Sequence, residues 1–167
     1  CHGGMITNNL NMLDVTDGNT WQERAPMSSC KIGFGSLTYN GKFHIFGGYE
    51  DTDNEDIMRV VNSVECYSPF SDEWYTLPPM LQARKHPRGV VAIDQSFYIV
   101  DGIDYDQYDH DERTEWLPKP QFRPYAERYD PSQQTWQQLP ERPGHLPVDF
   151  VAVTALHHFL YLIGGLR

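Results

Sequence analysis

The sequence has few cysteines, few basic residues and no long apolar run. Its three cysteines form no CxxC pair, which argues against a disulfide framework, and the chain has no N-x-S/T sequon. Both features favour a reducing, cytoplasmic location. The longest apolar runs are only a few residues long, so we expect no membrane-spanning segment. No charged and then apolar leader opens the chain, so we also expect no secretory signal.

The charge balance narrows the class of partner. Acidic residues number 23 and basic residues 13, for a net charge of -10. A general nucleic-acid binder needs a cationic face for phosphates, so this balance argues against one. Glycine (13) and proline (12) are plentiful and aromatic residues make up 13%, with no long helical period. Many turns and many aromatic residues favour an all-β fold.

An internal repeat is the strongest signal. Glycine pairs or near-pairs follow short apolar runs at Gly3-Gly4, Gly47-Gly48, Asp101-Gly102 and Gly164-Gly165. Tryptophan recurs at Trp21, Trp74 and Trp136, and the next pair begins 26, 27 and 28 residues later. The distance from each pair to the following tryptophan varies instead, from 17 to 26 to 34 residues. A structural repeat with one insertion-tolerant loop has this pattern.

Each repeat predicts four short strands. The first two form a hairpin that ends at the glycines, and Asn40-Gly41 is a strong signal for its turn. The third strand ends at a Tyr-x-Pro turn, where the tyrosine is Tyr67 or Tyr129, and the fourth carries the tryptophan. The second strand is apolar on both faces, which is typical of a strand covered on both sides by neighbouring sheets. We therefore expect the three tryptophans to pack between the sheets of a propeller, and the glycines to allow close backbone approach.

These motifs resemble the kelch repeat: an apolar run, a glycine pair, a variable loop, a Tyr-Asp-Pro turn and a spaced tryptophan. The segment VNSVECYSPFSDEWYTLPPMLQAR is similar to repeats of the BTB-kelch proteins, with Arg84 where that family often has arginine. The resemblance implies a kelch-type β-propeller of four-stranded antiparallel blades. The sequence departs from the pattern at Leu13, Asp101 and Leu146, which replace an expected tyrosine, glycine and arginine.

The repeat predicts about three blade-equivalents. Residues 1–27 would end one blade, 28–80 and 81–141 would form two blades, and 142–167 would start the next. Propellers usually close with four to eight blades, so we expect the chain to be part of a larger, six-bladed propeller. The alternative is that two copies of the chain complete one ring.

The variable loops are the candidate partner-binding site. One loop runs over 49–56, and the other is an acidic insertion over 103–122; propeller geometry places both on the face of the blade-to-blade connections. An acidic, tyrosine-bearing rim would attract a basic partner. The alternative is that both insertions are solvated loops that bind no partner. The candidate contacts are Tyr49, Glu50, Asp51, Asp53, Arg84, Asp104, Tyr105, Asp106, Tyr108, Arg113 and Trp116.

Metal binding and catalysis have little support. Residues 104–112 offer many carboxylates but lack the spacing and the glycine of an EF-hand loop, so we expect no calcium site and no cofactor. Neither G-x-S-x-G nor H-E-x-x-H is present. We expect His44 to be a packed core residue, Cys66 to be buried and Cys30 to be a more exposed, inert thiol. A copper-radical oxidase, known among kelch-like propellers, is a remote alternative.

The sequence therefore favours a non-catalytic protein-interaction module. The BTB-kelch resemblance implies the substrate-recognition part of a cullin-RING ubiquitin ligase adaptor, which would reach the cullin through parts outside this chain. The alternative is a cytoskeletal kelch protein that binds or cross-links actin. The expected partner is a protein, either a basic segment or actin, rather than nucleic acid or membrane.

Overall fold

The computed structural model describes residues 6–51, 58–103, 126–141 and 152–164. Fifteen strands lie in these ranges, and none of the described residues is helical, so no described helix could span a membrane. The strands are β1 Leu10–Asp14, β2 Thr20–Arg24, β3 Lys31–Ile32, β4 Gly35–Tyr39, β5 Lys42–Phe46, β6 Tyr49–Asp51, β7 Met58–Val60, β8 Val64–Ser68, β9 Glu73–Leu77, β10 Gly89–Ile93, β11 Ser96–Val100, β12 Ala126–Asp130, β13 Thr135–Gln138, β14 Ala152–Leu156 and β15 Phe159–Ile163.

Most strands form antiparallel sheets in chain order. Two sheets have four strands: sheet B contains β4, β5, β8 and β9, and sheet C contains β10 to β13. At either end of this pair, sheet A contains β1 and β2, and sheet D contains β14 and β15. The expectation of four-stranded antiparallel blades is confirmed in B and C. In repeat terms, A has the third and fourth strands of a blade, and D has the first and second.

Turn geometry follows the repeat closely. Asn40 and Gly41 have φ angles of 49° and 69°, as a tight hairpin turn requires, so the turn predicted from this pair is confirmed. The residue two before each tryptophan is left-handed: Asn19, Asp72 and Gln134 have φ angles of 55°, 56° and 55°. The three outer hairpins therefore share a left-handed residue at this position although their side chains differ.

The main core lies between sheets B and C. Its buried residues come from both sheets and the loop after β9: Phe46, Val64, Met80, Phe97, Ile99 and Tyr129. Phe97 meets Phe46 and Tyr39 edge-on, with ring centroids 6.1 and 5.1 Å apart. Strand β5 therefore packs its apolar side chains against the next sheet, as its two-faced apolar pattern predicted.

The three repeat tryptophans differ in burial. Trp74 and Trp136 are half-buried and bond to the preceding sheet, but 69% of Trp21 is exposed. The expectation that Trp21 packs between blades is therefore wrong in this structure. Its indole is exposed because no preceding sheet lies beside sheet A among the described residues.

A fifth sheet was not predicted. Strands β3, β6 and β7 form a three-stranded antiparallel sheet, here called sheet T. Strand β3 comes from the connection between A and B, whereas β6 and β7 come from the loop between β5 and β8. Part of the first variable loop therefore forms β-strands that pair with the neighbouring connection.

Candidate partner-binding face

Loops and connections meet at one end of the sheets. In sheet T, Lys31 of the A–B connection lies opposite Glu50 of the loop that follows β5. In the next repeat, Lys85 of the B–C connection forms an antiparallel bridge with Ile103, which follows β11. Both variable loops therefore start at the same end as the connections, here called the connection end.

Glu50 is the polar centre of sheet T. Its carboxylate accepts hydrogen bonds from the Ser29 hydroxyl and the Arg59 guanidinium, the latter at 3.1 Å, and it lies 3.7 Å from the Lys31 ammonium. Burial alone would raise the pKa of Glu50, but these hydrogen bonds and positive charges outweigh it and lower the pKa. Glu50 therefore holds the loop to the connection, and its charge is largely balanced within the chain.

Tyr49 is an internal residue. Its ring is buried, and the Lys85 ammonium lies 4.1 Å from the ring centroid in a cation–π contact. The expectation of an exposed contact residue at the rim is therefore not met at Tyr49. Its aromatic face instead joins the first loop to the B–C connection.

Arg84 is also internal, since only 3% of the residue is exposed. Its guanidinium pairs with Glu127 of β12 and donates a 2.9 Å hydrogen bond to the Asp101 carbonyl. This burial corrects the expectation that Arg84 touches a partner. A planar guanidinium can bond two acceptors at once, which suits it to join a connection to β12 and to the residue that follows β11.

The same ion pair occurs one repeat earlier. Lys31, ten residues after Trp21, pairs with the buried Glu65 of β8, just as Arg84, ten after Trp74, pairs with Glu127. Each glutamate also accepts a backbone N–H seven residues after the tryptophan, from Ser28 at 3.3 Å or Leu81 at 2.8 Å. The buried charges are thus paired and hydrogen-bonded, as burial requires.

Two further contacts repeat between sheets. The indole N–H groups of Trp74 and Trp136 donate to the carbonyls of Ala25 and Pro78, at 2.9 and 2.8 Å. Both carbonyls lie four residues after the preceding tryptophan. Sheets B and C are therefore each joined to the preceding sheet by their fourth strand as well as by their third.

The glycine pair makes room for the connection. The Gly48 N–H donates to the Arg84 carbonyl at 2.8 Å, and a Cβ at Gly47 would lie 2.2 Å from that oxygen. Both glycines have positive φ angles, and Asp101, in the place of the first glycine of the next pair, also has φ 51°. The positive φ angle at the first position of the pair is thus kept although aspartate replaces glycine at Asp101.

Sequence analysis missed the paired glutamates. A signal was present, because Glu65 and Glu127 each lie two residues before the repeat tyrosine. Strand alternation turns them to the same face as that tyrosine, but the sequence does not show that a cation from the preceding connection lies there. Only the packing of consecutive sheets brings the two charges together.

Other predicted residues have mixed outcomes. His44 and Cys66 are buried, as expected, and burial raises the pKa of the Cys66 thiol. The expectation of an exposed, inert Cys30 thiol is wrong, because Cys30 is buried and disulfide-bonded. Asp51 is half-buried on β6, and its N–H donates to the Cys30 carbonyl at 2.9 Å. Several candidates lie outside the described residues: Asp53, Asp104, Tyr105, Asp106, Tyr108, Arg113, Trp116 and the structural Gly165.

Within the described residues, no three metal-ligating side chains cluster closely enough to hold a metal ion. The buried carboxylates of Glu65 and Glu127 are each occupied by a cation and a backbone N–H. Within these ranges the buried ion pairs and their hydrogen bonds thus join one sheet to another.

Comparison with known proteins agrees with this architecture. The family described as Kelch motif matches residues 31–81, which span the first complete four-stranded sheet and the start of the connection after it. This part of the chain therefore carries a kelch motif. Among its kelch relatives, the Kelch-like protein terF of Aspergillus terreus is 28% identical over 160 residues, covering 95% of this chain and 32% of the relative.

A second relative carries the BTB name. The human Kelch repeat and BTB domain-containing protein 12 is 28% identical over 104 residues, covering 59% of this chain and 16% of the relative. The solved structure of YjhT superposes with a TM-score of 0.76 at 19% identity, covering 95% of this chain and 51% of that one. The chain thus spans about a third or less of these curated relatives. Its fold is that of a kelch-type propeller, and its sequence is similar to the BTB-kelch proteins.

Proposed function

We propose that the connection end of this propeller is a protein-binding platform that acts as the substrate-recognition part of a cullin-RING ubiquitin ligase adaptor. The observation that carries the proposal is the joining of loops to connections at this end, through Lys31 and Glu50 in one repeat and Lys85 and Ile103 in the next. A binding surface on a rigid scaffold loses less conformational entropy when a partner docks.

The charge of the platform specifies the partner. The two insertions leave the described structure at Asp51 and Ile103, both at the connection end, and the sequence places most of their acidic residues beyond these points. Since Lys31 and Arg59 balance Glu50 internally, the remaining acidic residues supply the net field. A basic peptide segment is the partner that such a field attracts.

Peptide binding tests the platform. The chain should bind lysine- and arginine-rich peptides more tightly than acidic ones in biolayer interferometry, and the affinity should fall as salt is raised. Changing Asp104, Asp106 and Asp109 to asparagine should weaken this binding at least tenfold. A matched control changes Asp17, Glu23 and Glu73, on the outer strands and their turns, to their amides. Equal weakening by both triple variants would show only a net-charge effect and would contradict the proposed platform.

The adaptor role needs a separate experiment. The tagged full-length protein, expressed in its own cells, should capture a cullin, and the purified full-length protein should not pellet with actin filaments. Pelleting with actin and no cullin capture would instead support the alternative, a cytoskeletal actin-binding role. We propose a cytoplasmic location, and fluorescence microscopy of the tagged protein in its own cells tests it. The proposed role is non-catalytic.

A further inference from the structure

The outer edges of sheets B and C differ in composition. Strands β9 and β13 are the fourth strands of these sheets, and among the described residues each pairs only with the strand before it. An unpaired strand edge has backbone N–H and C=O groups that can pair with another chain. Native proteins protect such an edge with charged residues, proline or a covering segment. The side chains of each fourth strand therefore decide whether its edge can accept another strand.

Strand β9 is the better edge for strand addition. After Trp74 it has Tyr75 and Thr76, where β13 has Gln137 and Gln138 after its tryptophan. These four residues after the tryptophans are all exposed. Tyrosine and threonine are enriched in β-strands because they pack well on a pleated, half-exposed surface. The two edges thus have the same position and the same exposure, but β9 has the side chains that favour a neighbouring strand.

Exposed aromatic surface adjoins β9. Tyr75 is 44% exposed, and Phe70, in the turn that leads into β9, is fully exposed. The Ser71 hydroxyl lies 3.1 Å from the Tyr75 hydroxyl, so the turn contacts the strand beside Phe70. The equivalent positions of sheet C are polar, with Ser132 for Phe70 and Gln137 for Tyr75. A segment that lies along β9 would therefore cover apolar surface as well as backbone groups.

The charge at this edge indicates the chemistry of the added strand. Glu73 is the only charged residue of β9. Its carboxylate accepts a 2.6 Å hydrogen bond from the Tyr75 hydroxyl, and the Lys42 ammonium lies over the Tyr75 ring, 6.0 Å from its centroid, rather than on this carboxylate. A basic residue opposite Glu73 would form a favourable cross-strand pair. The net charge of -10 disfavours a second copy of this chain as the added strand.

We propose that the outer edge of β9 binds an extended protein segment as an added antiparallel strand of sheet B. The antiparallel direction continues the order of the sheet, in which each strand is antiparallel to the one before it. The segment then has lysine or arginine opposite Glu73, near its C-terminal end, and β-branched residues opposite Tyr75 and Leu77. Pro78 and Pro79 follow β9 and lack an N–H, so they end the edge on that side.

Amide chemical shifts test strand addition. The probe is the peptide Val-Thr-Val-Thr-Lys, acetylated and amidated at its ends and added to the nitrogen-15-labelled chain. It should shift the backbone amide signals of residues 73–77 and leave those of 135–138 in place. The same peptide with a methyl group on every backbone nitrogen keeps its charge but cannot donate hydrogen bonds, so it should shift neither set. Equal shifts of both strands, or no shift in β9, would overturn the proposal.

Lysine substitutions at matched positions test the edge itself, because natural sheets use lysine to protect an edge. Tyr75→Lys with Thr76→Lys should weaken peptide binding about tenfold or more, since it removes the strand-favouring surface and repels the lysine of the peptide. Gln137→Lys with Gln138→Lys makes the same change of charge on β13 and should alter the affinity by about twofold or less. All four residues are exposed, so circular dichroism should show both variants folded. If both pairs weaken binding equally, the loss comes from the added charge and the β9 site is wrong.

Two further results separate this site from its alternatives. Replacing the lysine of the peptide by glutamate places like charges opposite each other at Glu73 and should weaken binding about fivefold; an unchanged affinity would contradict the basic residue of the segment. Shifts of residues 73–77 that follow protein concentration without peptide would identify a second copy as the occupant and overturn the proposal. The site is independent of the proposed ligase role, because the aspartate variants of the connection end should leave the β9 shifts unchanged.

Discussion

The junction between sheets A and B and the junction between B and C use the same polar contacts with different packing. Both have a tryptophan indole on a backbone carbonyl and a buried glutamate paired with a cation. The B–C junction adds a cluster of aromatic rings around Phe97. The A–B junction has instead an outer polar network in which Asp72 accepts from the Tyr67 hydroxyl at 2.6 Å and the Ala25 N–H at 3.0 Å.

The comparison separates the contacts that the repeat residues make at every junction from the contacts that depend on the preceding sheet. The shared contacts join the third and fourth strands of a sheet to the preceding connection. These strands and that connection are present at both junctions. The aromatic cluster needs the first hairpin of the preceding sheet, which only the B–C junction has in the described structure. Junction strength should therefore depend on position even where the motif residues are equivalent.

Removing the buried glutamates should have the largest effect. Glu127→Ala leaves the Arg84 guanidinium buried without its carboxylate and should cost about 3 to 5 kcal/mol of unfolding free energy. Glu65→Ala should cost less, because Lys31 keeps the Ser63 hydroxyl at 3.0 Å and Glu50 at 3.7 Å. Urea unfolding measures both, with the exposed Glu73→Ala as control. Equal losses at the two sites would contradict the difference between the junctions.

The three tryptophans form a graded series. Trp136→Ala should cost about 3 to 4 kcal/mol, because its ring packs on Phe46 and Tyr129. Trp74→Ala removes a ring that packs on Tyr67 and, within the described residues, on no ring of a preceding hairpin, so it should cost about 2 kcal/mol. The exposed Trp21→Ala should stay within about 0.5 kcal/mol. These values apply to the single chain; a melting temperature for Trp136→Ala within error of the wild type would refute its packing role.

A smaller effect should follow the pH at the B–C junction. Burial, and then the charge of Lys42, lower the pKa of His44, and its Nδ1 has no hydrogen-bond partner among the described residues. In the unfolded chain the His44 imidazole therefore binds a proton more readily than in the folded chain. The stability due to neutral His44 is present above the usual pKa of 6.5 and lost as the pH falls through the lower folded value. His44→Phe should flatten this part of the stability profile, measured by urea unfolding at several pH values; an unchanged slope would contradict the assignment.

The smallest effect should appear at the outer edge of the A–B junction. The hydrogen bond from Tyr67, then that from the Ala25 N–H, lower the pKa of Asp72 from 3.8. Its contribution to stability should be present above pH 3.8 and lost as the pH falls through the lowered value. Asp72→Asn should remove that acid-dependent part. Gln134 has the same position and a similar φ angle in sheet C, so Gln134→Asn is the control. It should leave the free energy of unfolding at acid pH unchanged.

Much of the fold could be predicted because its signals are local. The Asn40-Gly41 turn, the glycine pair and the spaced tryptophans each depend on the conformation of a few adjacent residues. Four-stranded blades follow, since a hairpin and a second hairpin of fixed length recur. Sheet T could not be predicted, because β3 and β6 are short and their pairing depends on how a connection lies beside a loop of the next repeat.

The sequence by itself determined the repeat, the strand order within each blade and the acidity of two insertions, because these depend on spacing and residue type. Only the tertiary structure decided which repeat residues are internal. Arg84 and Tyr49 are surface candidates by composition, but the packing of one sheet on the next buries them against Glu127 and Lys85. The physical reason is that a charged or aromatic side chain is stable in either environment, provided that a partner of suitable charge lies nearby. That partner comes from another repeat, 43 residues away in the case of Arg84 and Glu127.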